Sequence, residues 1–318
     1  MKKLVLLMAV LMSLHSFTAG AVTISVNQFV EHPALDAILK GFQDYLKEKG
    51  IEVQYNVHNA QANMGTATQI GQQMIGEKAD LLVAIATPSA QATAQAVSKA
   101  PKELKRPFLF TAVTDPIAAG LVKDFEHPPE GITGVSDLLP IEQHIKMVLS
   151  YNGNIKRLGL LYNAGEANSK STIAGVKALR GKLDFTTVEA TASKTADVYQ
   201  AAKSLVGRVD AVFIPTDNTI VSALESVIKV GVQNKLPIFA ADVDSVKRGA
   251  VAAMGFDYYK HGYQTGAVAE RILNGEKPEN IPVSFQKDLQ LHINAGFSEK
   301  MGLTPPAELL KKATKVYK

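Results

Sequence analysis

Cysteine and tryptophan are both absent from the 318 residues. Without cysteine the chain can form no disulfide, carries no lipid-modified cysteine and offers no thiolate to a metal. Long hydrophobic runs are also lacking, because past the first two dozen residues no segment reaches the ~18 uninterrupted apolar positions of a membrane helix. Charge of one sign is scarce: 34 Lys and Arg stand against 30 Asp and Glu, a formal balance of +4. Discounting Lys2 and Lys3 leaves +2, and the remaining lysines are scattered, which argues against a nucleic-acid or anionic-membrane surface. The histidines past residue 21, at 32, 58, 127, 144, 261 and 292, show no pair at ligand spacing, so no metal is expected.

Catalytic and nucleotide motifs are missing as well. The nearest approach to a phosphate-binding loop, "GVKALRGKL", has one residue too many between its glycines and a leucine where Ser or Thr must stand. There is no glycine-rich dinucleotide fingerprint and no Gly-x-Ser-x-Gly elbow. "SVIK" at Ser226 to Lys229 fits a Ser-x-x-Lys pattern, but it lies on an amphipathic helix without companion motifs. The expectation is a protein that is not an enzyme and needs no cofactor.

What the chain does have is order. Residues 1–21, "MKKLVLLMAVLMSLHSFTAGA", place two lysines before about a dozen apolar residues and end on small residues, as an export signal cut after Ala21 does. Export without a lipid anchor points to the periplasm. Thereafter short runs rich in Val, Ile and Leu alternate with amphipathic stretches of helical length: "VTISVNQF", "IEVQYNV", "DLLVAIA" and "PFLFTAV", then "RLGLLYN", "DFTTVEA", "DAVFIPT", "LPIFAAD" and "AVAAMGF". Runs apolar on both faces and alternating with helices predict an α/β fold of two doubly wound parallel-sheet lobes. The Pro- and Gly-rich "EHPPEGITGVSDLLP" is read as the break between them. The expected division is residues 22–115 plus 256–285 for lobe 1, and 116–255 plus 286–318 for lobe 2.

In such sheets ligands sit beyond the carboxyl ends of the strands. Those ends read "QFVEHP", "TPSAQ", "TDP", "NAGEANSKS", "PTDNT" and "ADVDS", rich in hydroxyls, amides and carboxylates in both halves. Ser89, and Asn168, Ser169 and Ser171, either cap the helices that follow or leave helix N–H groups free for an anion. Asp115 either starts a turn or faces a ligand, and Asp217 and Asp242 either cap helices or receive an ammonium or hydroxyls. Phe29, Phe256 and Tyr258 are candidates for an apolar wall.

The stretches "FVEHPALDAILKGF", "TAVTDPIAAGLV", "GITGVSDLLP", "LYNAGEANS", "IPTDNTIVSALESV" and "FAADVDSVKRGAVAAMGFDYYKHGYQTG" resemble the substrate-binding proteins of ABC transporters. That family has the type I periplasmic binding protein fold, and some members bind tryptophan or other aromatic amino acids. The resemblance implies two lobes joined by a three-segment hinge, here near residues 115–119, 249–255 and 285–290. It implies ligand contacts at Gln28, His32, Ser89, Asp115, the Asn163 to Ser171 loop, Asp217, Asp242 and Phe256, to which the strand ends add Thr87, Thr114 and Asn218. The expected ligand is an amino acid with an aromatic side chain, held by its carboxylate at Thr87, Ser89 and Ser169 and by its ammonium at Asp217 and Asp242. A sugar ligand, or a role reporting to a receptor, is the alternative. The implied partners are that small molecule and an inner-membrane ABC permease, with no nucleic acid, and the chain is expected to be a monomer.

Overall fold

The computed structural model describes residues 22–318, so the expected export signal lies outside the described residues. The first lobe is built from β1 (Val22–Gln28), α1 (Pro33–Glu48), β2 (Val53–Asn59), α2 (Met64–Gly76), β3 (Leu81–Ile85), α3 (Thr87–Lys99), β4 (Phe108–Thr111) and β5 (Ile132–Ser136). The chain then crosses to α4 (Ile141–Tyr151), β6 (Arg157–Tyr162), α5 (Ala167–Ala178), β7 (Thr186–Thr191), α6 (Val198–Lys203), β8 (Ala211–Ile214), α7 (Asn218–Ser222), α8 (Leu224–Asn234), β9 (Ile238–Ala240), α9 (Asp244–Lys247) and β10 (Ala252–Gly255). A second crossing returns it for α10 (Tyr258–Leu273) and β11 (Ser284–Phe285). A third leads to β12 (Gln290–Asn294), α11 (Ala295–Lys300), α12 (Ala307–Lys312) and β13 (Lys315–Tyr317).

All nine apolar runs become strands. The first sheet has the order β11-β5-β4-β3-β1-β2 and the second the order β7-β6-β8-β9, every pairing parallel. β10 pairs antiparallel with β12 and β12 parallel with β13 in a small third sheet. Each lobe has its own core: Ile24, Phe42, Leu82 and Phe110 belong to one, Leu160, Phe213, Ile228 and Phe239 to the other. Two cores bridged by thin crossings leave the lobes free to turn as separate bodies.

The sheet pairing moves the first boundary. β5 lies in the stretch expected to link the lobes and was assigned to the second, yet it pairs with β4 from Phe108 opposite Ile132 to Thr111 opposite Val135. Its sequence, "ITGVS", hides a strand because Gly134 lowers strand propensity. That glycine is needed for packing, since a Cβ there would overlap the Phe110 ring. The crossings therefore fall at 136–141, 255–258 and 285–290; the third agrees with expectation, the second is shifted by a few residues, and the first lies about twenty residues later than 115–119.

The returning α10 is fastened to lobe 1 by close helix packing. A Cβ at Gly262 would overlap the Ile38 carbonyl of α1, and one at Gly41 the Tyr259 carbonyl of α10. Glycine here lets two backbones meet. Thr111 and Thr265 share a hydrogen bond of 2.7 Å, and the Ala112 N–H donates to His261 Nε2 at 3.1 Å, so α10 also holds the end of β4.

Candidate functional site

Between the lobes, at the carboxyl ends of both sheets, lies a narrow cavity of about 30 Å³. That is well below the ~300–1,000 Å³ typical of small-molecule sites, as lobes drawn together over the cleft would leave it. Lobe 1 contributes His32, Ala34, Leu35, Ala112 and Thr114, and lobe 2 contributes Asn168, Thr216, Asp217, Asn218, Val221 and Asp242. Asp137 and Tyr258 come from the first two crossings.

Each lining group is set by its element. His32 precedes α1 in extended conformation, with Pro33 starting the helix, and it is 8% exposed. Burial is the largest influence on its imidazole and the Arg248 charge adds to it, lowering the pKa to about 4 against the opposing effects of Asp242 and Asn218. Arg248 itself is held in a two-bond pair with Glu225. Thr114 follows β4, and its hydroxyl meets that of Thr216 across the cleft at 3.0 Å. Ala112 has φ +51°, a left-handed backbone that non-glycine residues seldom adopt, and sits where the His261 bond holds it.

The acids divide by how fully they are used. Asp217 caps α7 by accepting from the Ile220 N–H, and also accepts from the Asn163 N–H and the Ser169 hydroxyl. Burial and then the charge of Glu166 push its carboxyl up to about 8, against those three hydrogen bonds. Asp242 accepts from the N–H and hydroxyl of Ser245 at the start of α9. Asp137, 2% exposed, accepts on Oδ2 from the Tyr258 hydroxyl at 2.9 Å, while its Oδ1 has no partner. Burial pushes this carboxyl above its ordinary range, against the Tyr258 hydroxyl.

Three cavity-lining residues thus keep a buried polar atom without a partner: His32 Nδ1, Asp137 Oδ1 and Asn168 Oδ1. Such atoms are costly to bury alone, and a ligand that meets them recovers that cost.

Of the residues singled out from the sequence, His32, Thr114, Asn168, Asp217, Asn218 and Asp242 come together around the cavity. The others take up different work. Gln28 Nε2 donates to the Val30 carbonyl and to Asp36, bracing the β1–α1 turn. The Ser89 hydroxyl is turned inward to Asn27 at 2.9 Å, within lobe 1. Thr87 is buried beside it and lines no part of the cavity, and its hydroxyl has no partner. Asn163 donates to Thr219 and accepts from Gly165, and Ser169 is committed to Asp217, so both serve lobe 2 internally. Phe256 and Phe29 are core residues outside the lining, whereas Tyr258 is in it. The expected carboxylate pocket at Thr87, Ser89 and Ser169 is therefore not assembled: both serine hydroxyls already donate to acceptors of their own lobe.

Asp115 and Ser171 have a role of another kind. Asp115 Oδ1 caps the turn that begins Asp-Pro by accepting from the Ala118 N–H, and Oδ2 accepts from the Ser171 hydroxyl of the opposite lobe at 2.5 Å. With Thr114 and Thr216 this pair ties the lobes together.

Two residues were missed. Asp137 follows β5, whose strand end was absent from the list because the strand itself was read as a linker. Glu166, one residue before α5, accepts from Asn168 Nδ2, from the N–H and Nδ2 of Asn218, and from the N–H and hydroxyl of Thr219. It fixes two of the cavity's amides, and an acid within "NAGEANSKS" was its only signal.

The profile of a family described as ABC transporter substrate binding protein matches residues 23–317. A tyrosine-binding protein of Clostridioides difficile is 39% identical over 275 residues, 85% of this chain and 78% of the relative. The structure of an ABC domain in complex with L-Trp from Streptococcus pneumonia superposes with a TM-score of 0.88 at 34% identity, covering 93% of this chain and 100% of that one. The ligand-free, open structure of a substrate-binding protein with adhesive properties from Clostridium difficile gives 0.67 at 35% identity, covering 93% and 99%. At nearly equal identity, the lobe arrangement here is nearer to the complex than to the open form. The bonds across the cleft agree with that.

Proposed function

As the chain belongs to the family of ABC transporter substrate-binding proteins, we propose that it is the periplasmic receptor of an importer and binds an aromatic amino acid in the cavity between its lobes. The observation that carries this reading is the set of unpaired buried atoms at His32, Asp137 and Asn168, contributed by lobe 1, a crossing and lobe 2. A ligand that satisfies all three holds the lobes together, and closure is what a permease can recognise.

The amino-acid assignment has support from chemistry and from relatives. Acidic side chains line the cavity, and such a group holds an ammonium by charge as well as by hydrogen bonds, whereas a neutral sugar offers it hydroxyls alone. Leu35, Val221, Ala34 and the Tyr258 ring supply apolar surface, and burying a phenylalanine-sized side chain contributes about 1.5–3 kcal/mol. The relatives are a tyrosine-binding protein and a protein complexed with L-Trp. The exported chain acts as a monomer that docks on an inner-membrane permease.

A thermal-shift screen of the unfolded, refolded and so ligand-stripped protein tests this. A ligand at a hundred times its dissociation constant stabilises by about 2.7 kcal/mol. L-Tyrosine, L-tryptophan or L-phenylalanine should raise the melting temperature; a rise with a pentose or hexose and with no amino acid would assign the cavity to sugars.

A further inference from the structure

We propose that His32 selects the ligand's side chain: its imidazole stands at the apolar end of the cavity and pairs with a phenolic hydroxyl, so that the protein prefers tyrosine to phenylalanine. The inference rests on the amino-acid reading above and narrows it to a hydroxyl-bearing aromatic side chain.

The lining changes character along its length. At one end Asp137 accepts from the Tyr258 hydroxyl, and Thr114, whose hydroxyl is paired with that of Thr216, stands beside this carboxyl. Asn168 belongs to the same end, because its Nδ2 donates to the Thr216 carbonyl at 2.6 Å. The other end is apolar. Ala34 and Leu35 follow His32 at the start of α1, and Val221 stands three residues after Asn218, whose side chain meets the His32 ring. Asp242 acts on both His32 and Asp137 and so lies between the ends, with both of its oxygens already accepting from Ser245.

This division orients an amino acid. Its ammonium and carboxylate go to the end that offers hydroxyls, an acid and the free Asn168 oxygen, and its ring goes to the end walled by Ala34, Leu35 and Val221. The tip of the ring then meets His32 Nδ1, the one buried side-chain atom of that end without a partner among the described residues. His32 is 8% exposed and neutral at pH 7, since burial lowers it to about 4. In a neutral imidazole one nitrogen carries a hydrogen and the other a lone pair. A phenolic hydroxyl both donates and accepts, so it satisfies Nδ1 in either tautomer. A phenyl ring satisfies it in neither. A site that leaves such an atom bare discriminates more strongly than one that loses only apolar contact.

The test is calorimetric titration of the ligand-stripped protein with L-tyrosine, L-phenylalanine and 4-fluoro-L-phenylalanine, whose fluorine fills the para position with no hydrogen to donate. L-Tyrosine is expected to bind at least tenfold more tightly than either. A smaller ratio, or binding of L-tryptophan with none of L-tyrosine, overturns the inference while leaving the amino-acid reading intact. Failure of every aromatic amino acid overturns both. In His32→Leu the preference for tyrosine over phenylalanine should drop below threefold, whereas a merely structural role would weaken both ligands and keep their ratio. A folded variant that stays above threefold would contradict the role given to His32; should the variant not fold, the ligand series on the unaltered protein decides without it.

Discussion

Ala86 joins β3 to α3 with φ +80° and ψ 153°, a region that is essentially reserved for glycine. Its cost, of order 1–3 kcal/mol, is carried by the surrounding fold. Ala86→Gly is therefore expected to raise the melting temperature by a few degrees, and a lower one would show that the residue's methyl group contributes more packing than its backbone costs. The same turn shows what could and could not be read in the chain. That a helix starts at Thr87 after a buried strand is plain from "LLVAIATPSA", but the direction of Ser89 is decided by Asn27, sixty-two residues away. Capping was legible at Asp217 and Asp242, because a cap is a local bond to an N–H three residues on. Which lobe or cavity a hydroxyl faces depends on packing that no single stretch encodes.

The α1–α10 pair shows the same division among elements. Each helix announces itself by apolar spacing and a capping start: Pro33 opens α1, and the Asp257 side chain accepts from the Lys260 N–H at the start of α10. That they lie backbone to backbone follows from Gly41 and Gly262, with Gly266 making room for the Tyr45 side chain, and these meanings appear only when the facing helix is in place. Gly262→Ala should destabilise lobe 1 by about 1–3 kcal/mol or more, seen as a lower denaturant midpoint. Unchanged stability would mean that the helices can move apart freely. β5 was missed for a related reason, since its glycine answers to the Phe110 ring and not to strand propensity.

At the level of the whole molecule, closure and pH response are the properties to check. The bond from Ser171 to Asp115 crosses the cleft and joins a hydroxyl to a carboxylate, a kind of contact worth about 1.5–3 kcal/mol. Ser171→Ala should make the ligand-free protein more open, with a larger radius of gyration in solution scattering, and weaken ligand binding roughly tenfold. An identical radius and affinity would show that the pair plays no part in closure.

The pH response has a definite sign. Burial lowers His32, His144 and His261 to about 4 from 6.5. Between those values the unfolded chain binds these protons and the folded chain does not, so their contribution is full above pH 6.5 and lost as pH falls toward 4. Asp217, raised to about 8, and Asp244, raised to about 6 by burial and by Asp242 and Asp257, act in the opposite sense. Burial also raises Asp137 and Asp36 and lowers His292; the imidazoles, whose unfolded forms take up their protons within the interval, set the expected direction, and the melting temperature is expected to fall between pH 7 and pH 5. A rise over that interval would mean that the carboxyls dominate.

The central claim is that an aromatic amino acid occupies the cleft and meets both lobes and the crossing between them. Calorimetric titration of the ligand-stripped protein with L-tyrosine, L-tryptophan and L-phenylalanine addresses it most directly. Saturable binding of at least one of them, one per chain and with the negative heat-capacity change of apolar burial, is the predicted result. Folded protein that takes up none of the three, in a titration where a sugar saturates it, would contradict the account.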